Sequence, residues 1–162
     1  MTPDLHNRAT SLLDKCRAKG LMIATAESCS GGLVVALLTS IAGSSAVVDC
    51  GFVTYSNDAK QKMLGVAPQI LSQSGAVSRE CAIAMAEGAL ANSNANLAVS
   101  LTGIAGPGGG TAAKPVGLVH FACARKNQAP IHRVENFGNI GREAVRMASV
   151  LVALDLLESQ VP

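Results

Sequence analysis

Ser28 is the residue whose type and setting best suit covalent chemistry. It stands in Thr25-Ala26-Glu27-Ser28-Cys29-Ser30-Gly31-Gly32, between two apolar runs, Leu21–Ala24 and Leu33–Ile41. A turn of small hydroxyl and glycine residues between a strand and a helix brings a nucleophile and free backbone N–H groups to one point. N–H groups at a helix start lack intrahelical partners and favour an anion or a developing oxyanion. Attack of a hydroxyl on a carbonyl is the chemistry such a turn supports. Ser30 is the expected N-cap of the following helix, which leaves Ser28 facing a ligand. Serines in turns and caps are more often structural, and this plainer reading applies to Ser28, Ser30, Ser44 and Ser45 alike. The run is not G-x-S-x-G, so an α/β-hydrolase elbow is not indicated.

A serine nucleophile needs a base. His6, His120 and His132 are the three histidines, and none lies near a turn motif. They read as surface or packing residues, without support for a Ser-His-Asp triad. Lysine can serve if its pKa falls from about 10.4 towards neutrality. Lys60, in Tyr55-Ser56-Asn57-Asp58-Ala59-Lys60, follows a strand and opens a helix, where the backbone dipole disfavours a cation. A solvated helix lysine is the plainer reading. Tyr55, the one tyrosine, ends the strand and can stack on a ring, bond a reacting group or plug the core edge.

A second candidate region is the glycine loop Thr102-Gly103-Ile104-Ala105-Gly106-Pro107-Gly108-Gly109-Gly110, which leaves a strand. Ligands in open α/β sheets collect at strand carboxyl ends. The loop carries neither a Walker lysine nor G-x-G-x-x-G, so it reads as a ligand loop or a plain crossover. Arg142 opens the last helix, an unfavourable place for a cation unless it clamps a phosphate or carboxylate.

The elements that must position these groups follow from periodicity and caps. Pro3–Ala18 reads as a helix with Leu5, Ala9, Leu12, Leu13 and Cys16 on one face. Leu21–Ala26 reads as a buried strand, Ser30–Ser40 as a helix, Val47–Tyr55 as a strand and Asn57–Leu64 as a helix stopped at Gly65. Ser78 caps a helix over Arg79–Ala91. Strands follow at Leu97–Leu101, Val116–Ala124 and Ile131–Phe137, then an apolar helix, Arg142–Glu158, with two faces covered. The expected fold is α/β: one domain, residues 1–162, in a three-layer α/β/α sandwich with a mixed sheet.

Composition supports a buried globule: 49% of the 162 residues are hydrophobic and 15% charged. Few aromatics, a net charge of +2 and no Lys/Arg cluster argue against nucleic-acid binding. The five scattered cysteines form neither a disulfide framework nor a zinc pattern. No metal or cofactor is expected. Met1–Lys19 is polar and lacks a signal-peptide core, and no apolar run reaches membrane-spanning length, so a cytoplasmic protein is expected.

Four stretches, taken in order, carry a resemblance: Thr25–Gly32; Tyr55-Ser56-Asn57 with Lys60 and Leu64-Gly65-Val66; Gly75-Ala76-Val77-Ser78; and Thr102–Gly110. Together they resemble the CinA C-terminal domain family, whose stand-alone members act as nicotinamide mononucleotide deamidases of the PncC type. The longer CinA proteins carry a further N-terminal domain, expected to be missing here. The resemblance implies an α/β/α sandwich, a homodimer, and hydrolysis of nicotinamide mononucleotide to nicotinate mononucleotide and ammonia in pyridine nucleotide salvage. It implies Ser28 as nucleophile and Lys60 as base. Tyr55, Thr102 and Arg142 match substrate-site positions, and Ser45 and Cys29 match residues lining the same pocket. Relatives often carry Thr at the position of Ser30, and Thr-Pro-Glu-Lys-Pro where this chain has Thr111-Ala112-Ala113-Lys114-Pro115.

The expected mechanism is a Ser/Lys amidohydrolase in which the Cys29-Ser30 turn holds the oxyanion and Tyr55 relays a proton. Arg142 is expected to bind the substrate phosphate and to depress the Lys60 pKa by its charge. Thr102 and the amides of Gly106, Gly108 and Gly109 are expected to hold ribose or phosphate oxygens. The alternatives are a nucleotide-binding or regulatory module without chemistry, a hydrolase of another small amide, and a cysteine hydrolase using Cys29.

Overall fold

A computed structural model describes residues 2–162; Met1, the first residue of the expected domain and of the polar N-terminal segment, lies outside the described residues. The chain runs α1 (Pro3–Ala18), β1 (Ile23–Glu27), α2 (Leu33–Thr39), β2 (Val48–Val53), α3 (Asn57–Leu64), α4 (Pro68–Gln73) and α5 (Arg79–Ala91). It continues with β3 (Leu97–Gly103), β4 (Leu118–Arg125), β5 (Ile131–Asn136) and α6 (Arg142–Gln160). The five strands form one sheet in the order β2-β1-β3-β4-β5. β1 is parallel to both β2 and β3, while β3–β4 and β4–β5 are antiparallel. This is the mixed sheet that the strand pattern predicts.

The two faces of the sheet differ in side-chain size. Ile23, Leu97, Val99, Leu101, Val119 and Phe121 point towards α1, α2 and α6 and fill the larger core. Alternate positions Ala24, Ala26, Ala98, Ala122 and Ala124 pave the other face, against α3 and α5. Strand side chains alternate faces, so a large/small repeat yields one thick and one thin interface. The thin side lets α5 lie close to the sheet, and the Ser100 hydroxyl donates to the Ala82 carbonyl at 2.5 Å. Gly88 extends this closeness to α3: a Cβ there would run into the Leu64 carbonyl.

The chain leaves β1 to build β2 on one side and places β3 on the other. The carboxyl end of β1 is therefore a topological switch point, where an open α/β sheet leaves a crevice. Ser28 follows β1 directly.

Strand bounds shift by one to two residues from those expected, and two helices differ more. The expected helix from Ser30 starts only at Leu33, after Gly31 (φ +62°) and Gly32 (φ +96°) take the left-handed backbone that favours glycine. α4, whose N-cap Ala67 makes no side-chain capping bond, has no counterpart in the sequence reading.

Candidate active site

β1 hands its ladder on to the turn: Ser28 N–H donates to the Leu101 carbonyl at 3.0 Å, and the Ser28 carbonyl accepts from Gly31 N–H at 3.0 Å. β2 is tied to the same point by Thr54 N–H donating to the Glu27 carbonyl at 2.8 Å. The Ser56 hydroxyl caps α3 by accepting from Ala59 N–H at 3.1 Å. That cap sets Lys60 in the first turn of α3 with its amine at the residues that follow β1 and β2.

Lys60 is 1% exposed. Its Nζ lies 3.0 Å from Ser28 Oγ and 2.7 Å from the Thr54 carbonyl. No carboxylate pairs with it among the described residues. Burial pushes its pKa below the ordinary 10.5, opposed by the neighbouring Cys81 and Cys29 thiols. A neutral amine in this place donates to Thr54 O and still has a lone pair for the Ser28 O–H. Proton transfer from a hydroxyl to an amine is chemistry that this distance permits. The plainer reading of Lys60 as a solvated helix lysine is overturned.

Ser28, Cys29, Tyr55, Thr102, Gly106, Gly108, Gly109 and Arg142 line a cavity of about 290 Å³. Arg142 closes one side of it, donating to the Gly106 carbonyl at 2.8 Å and to the Tyr55 hydroxyl at 2.7 Å. Thr102 sits at the end of β3 and donates to the Ala76 carbonyl at 2.8 Å. The glycine loop is tethered beyond the cavity by Lys114 Nζ, which donates to the Ser74 carbonyl at 2.6 Å. Arg142 is the one cation lining this cavity among the described residues, so an anionic ligand group would find its partner there.

The CinA C-terminal domain model matches residues 5–161. The chain belongs to the CinA C-terminal domain family. It is 49% identical over 144 residues to the nicotinamide-nucleotide amidohydrolase PncC of Escherichia coli K12, covering 89% of this chain and 87% of that protein. A PncC of Enterobacter agglomerans is 46% identical over 150 residues, covering 93% of this chain and 91% of the relative. The crystal structure of the competence/damage inducible protein CihA from Agrobacterium tumefaciens superposes with a TM-score of 0.96 at 53% identity, covering 98% of this chain and 96% of that one.

Four expectations for this CinA domain need correction. Ser30 is not the N-cap of α2 and does not line the cavity; it is fully buried and its hydroxyl donates to Glu27 Oε2 at 2.6 Å. Gly32 holds the cap position, and the side chain serving the helix start is Glu27. The anion at the α2 N-terminus is therefore the protein's own. Ser45 is exposed in a short 3-10 turn, Ser44–Ala46, before β2, at the opposite end of that strand from Tyr55. One chain does not bring it to the cavity. Arg142 is not among the causes of the lowered Lys60 pKa, which burial leads; its guanidinium donates to Tyr55 and Gly106.

Cys29 lines the cavity, but burial pushes its thiol up to about 11, outweighing the backbone N–H groups of Cys29 and Ser30 that favour the thiolate. His120 and His132 stack on neighbouring strands, with Nδ1 and Nε2 3.1 Å apart, and neither lines the cavity. No group of three or more His, Cys, Asp or Glu side chains suited to a metal occurs among the described residues. Nor is any described helix long and apolar enough to cross a membrane. The sequence reading gave no role to Glu27 or Arg146, whose side chains hold the Ser28 turn. The visible signal is a single carboxylate ending an apolar strand and a second guanidinium one turn after Arg142 in an apolar helix.

Proposed function

We propose that this CinA domain hydrolyses the carboxamide of nicotinamide mononucleotide, giving nicotinate mononucleotide and ammonia, with Ser28 as nucleophile and Lys60 as base. The observation that carries the reading is the 3.0 Å approach of a buried, carboxylate-free Lys60 amine to Ser28 Oγ. The substrate comes from the PncC relatives, which match over most of their length.

In the first half-reaction the Lys60 amine takes the Ser28 proton while Oγ bonds to the carboxamide carbon. The tetrahedral oxyanion is held by the Cys29 and Ser30 N–H groups, which donate to no oxygen acceptor among the described residues. Each such donor is worth on the order of 3 kcal/mol to the transition state. The Lys60 ammonium then protonates the amide nitrogen, the C–N bond breaks and ammonia leaves. Water attacks the resulting ester, giving its proton to Lys60, which returns it to Ser28 Oγ as the acid departs. Arg142 holds the phosphate, and Thr102 with the Gly106, Gly108 and Gly109 amides holds ribose or phosphate oxygens. Tyr55 packs on the substrate and passes protons near the leaving nitrogen.

This reading also takes the protein as a cytoplasmic homodimer that binds no nucleic acid. Val53 and Ile140, 43% and 55% exposed, flank Tyr55 and Arg142 in sequence and supply an apolar surface for a second copy. Sedimentation at micromolar concentration tests that part.

The function itself is tested by incubating the protein with nicotinamide mononucleotide and following both products. One ammonia per nicotinate mononucleotide is expected. Tight binding of the nucleotide without ammonia would instead make the domain a binding module, and release from other small amides only would move the substrate.

A further inference from the structure

Glu27 is fully buried, and both of its oxygens are saturated with donors. Oε1 accepts from Val35 N–H at 2.8 Å and from the Thr25 hydroxyl at 3.2 Å. Oε2 accepts from the Ser30 hydroxyl at 2.6 Å and from the Gly32 and Val34 N–H groups, each at 3.1 Å. The orphan donors at the start of α2 thus end on a carboxylate that precedes the helix. To get there, the side chain reaches forward over residues 28–31, so the turn bearing Ser28 is folded around it.

The turn is gripped from its other side as well. Arg146, on α6, donates through Nη2 to the Ser30 carbonyl at 2.8 Å. Ser30 is therefore held by its hydroxyl from β1 and by its carbonyl from α6. Glu27 and Arg146 supply two of the restraints on the turn, while the Cys29 and Ser30 N–H groups find no oxygen acceptor among the described residues and face only the Cys29 sulfur. Among the described residues Ser28 itself is held only by its main chain and by Lys60, so the aim of its hydroxyl depends on where this turn sits.

We propose that Glu27, with Arg146, is a positioning residue for the hydrolysis: it fixes the 28–32 turn so that Ser28 Oγ meets Lys60 and the Cys29 and Ser30 N–H groups, which no oxygen of the described residues takes up, can turn to the oxyanion. The proposal rests on the Ser/Lys reading above. Both Glu27 oxygens face backbone N–H groups, which can only donate. A glutamine in either orientation would turn its own NH₂ against one of them, so Glu27→Gln disturbs the turn although it conserves shape.

A cap that serves stability alone would lower the melting temperature and leave the folded enzyme's rates intact. The discriminating readout is the reactivity of Ser28 itself, followed as its phosphonylation by a fluorophosphonate using intact-mass spectrometry, with Ser28→Ala as the blank. Ammonia release is measured alongside, split into kcat and KM.

In Glu27→Gln the labelling rate and kcat should both fall by about 100-fold with KM within about threefold, as expected of a misplaced reacting group. Ser30→Ala, which deletes one hydroxyl, and Arg146→Ala should each lose about tenfold, and Arg146→Lys, which can still reach the Ser30 carbonyl, should recover most of it. If Glu27→Gln does not fold, Ser30→Ala and the Arg146 pair decide the matter by the same readouts.

Folded variants that melt lower yet label Ser28 within about twofold of wild type would overturn the proposal. A wild type that is labelled at Ser28 but releases no ammonia would remove the assigned reaction and leave the labelling comparison to judge Glu27. Wild type inert to both reagents would overturn the two readings together.

Discussion

Arg142 Nη2 donates to the Tyr55 hydroxyl at 2.7 Å, joining the first residue of α6 to the loop after β2 beside the cavity. Tyr55 is 61% exposed, so its ring contributes little to the core and is free to meet a ligand. Tyr55→Phe keeps the ring and loses this bond, while Arg142 retains the Gly106 carbonyl. We expect Tyr55→Phe to lower kcat/KM by about tenfold or less and Tyr55→Ala by about 100-fold. Arg142→Ala should act mainly on KM, because the phosphate lies away from the reacting carbon. Steady-state kinetics on the three variants check this, and equal damage from Phe and Ala would make the hydroxyl, and not the ring, the dominant contribution of Tyr55.

The buried amine of Lys60 makes both rate and stability depend on pH in the same direction. Only the neutral amine accepts the Ser28 proton, so kcat/KM should climb with pH through a pKa below 10.5 and then level. For stability, the folded pKa is lowered, so between it and 10.5 the unfolded chain binds the extra proton. Stability attributable to Lys60 therefore rises with pH across that window and is lost as pH falls. Lys60→Met, which removes the charge, should be more stable relative to wild type at about pH 7 than at about pH 10. Urea unfolding of both proteins at the two pH values measures the gap, and a gap that does not shrink would count against a depressed pKa.

Cys29 shares the cavity wall with Ser28, yet its thiol is pushed up to about 11 by burial. At neutral pH it is a poor nucleophile. Cys29→Ala should keep turnover within about tenfold of wild type, and iodoacetamide should inactivate slowly and only as pH rises. Rapid inactivation at neutral pH would revive a cysteine mechanism.

Gly88 lets α5 cross the end of α3, the helix that carries Lys60. Alanine is the better helix former by about 1 kcal/mol, but its methyl would meet the Leu64 carbonyl. The clash should win, with Gly88→Ala destabilising by about 1–3 kcal/mol. Thermal unfolding checks the sign, and a rise in melting temperature would show that the two helices part without cost.

Where local chemistry decides an element, the sequence reading and the structure agree. α3 stops at Gly65 and α5 starts after Ser78 as the sequence reads, because each of these residues lies next to the helix it serves. α2 was read three residues too long at its start because its cap comes from Glu27, across the turn, rather than from the adjacent Ser30. α4 carries no side-chain cap and buries no residue, so neither signal marks it. Ser28, Lys60, Tyr55, Thr102 and Arg142 were legible as candidates because each ends or opens an element. The burial of Lys60 was not, since helix spacing alone does not show which flank of α3 the sheet edge covers. Ser45 entered through the family resemblance, which matches positions without showing which end of the sheet a turn occupies; in one chain that turn lies at the start of β2, away from the cavity.

The most direct test of the Ser28–Lys60 relationship is ammonia release from nicotinamide mononucleotide by Ser28→Ala, Lys60→Ala and the double variant. A base and nucleophile that act as a unit fail together, so each single variant should lose about 1,000-fold or more in kcat and the double variant little further. Turnover by Lys60→Ala within about tenfold of wild type would contradict the account.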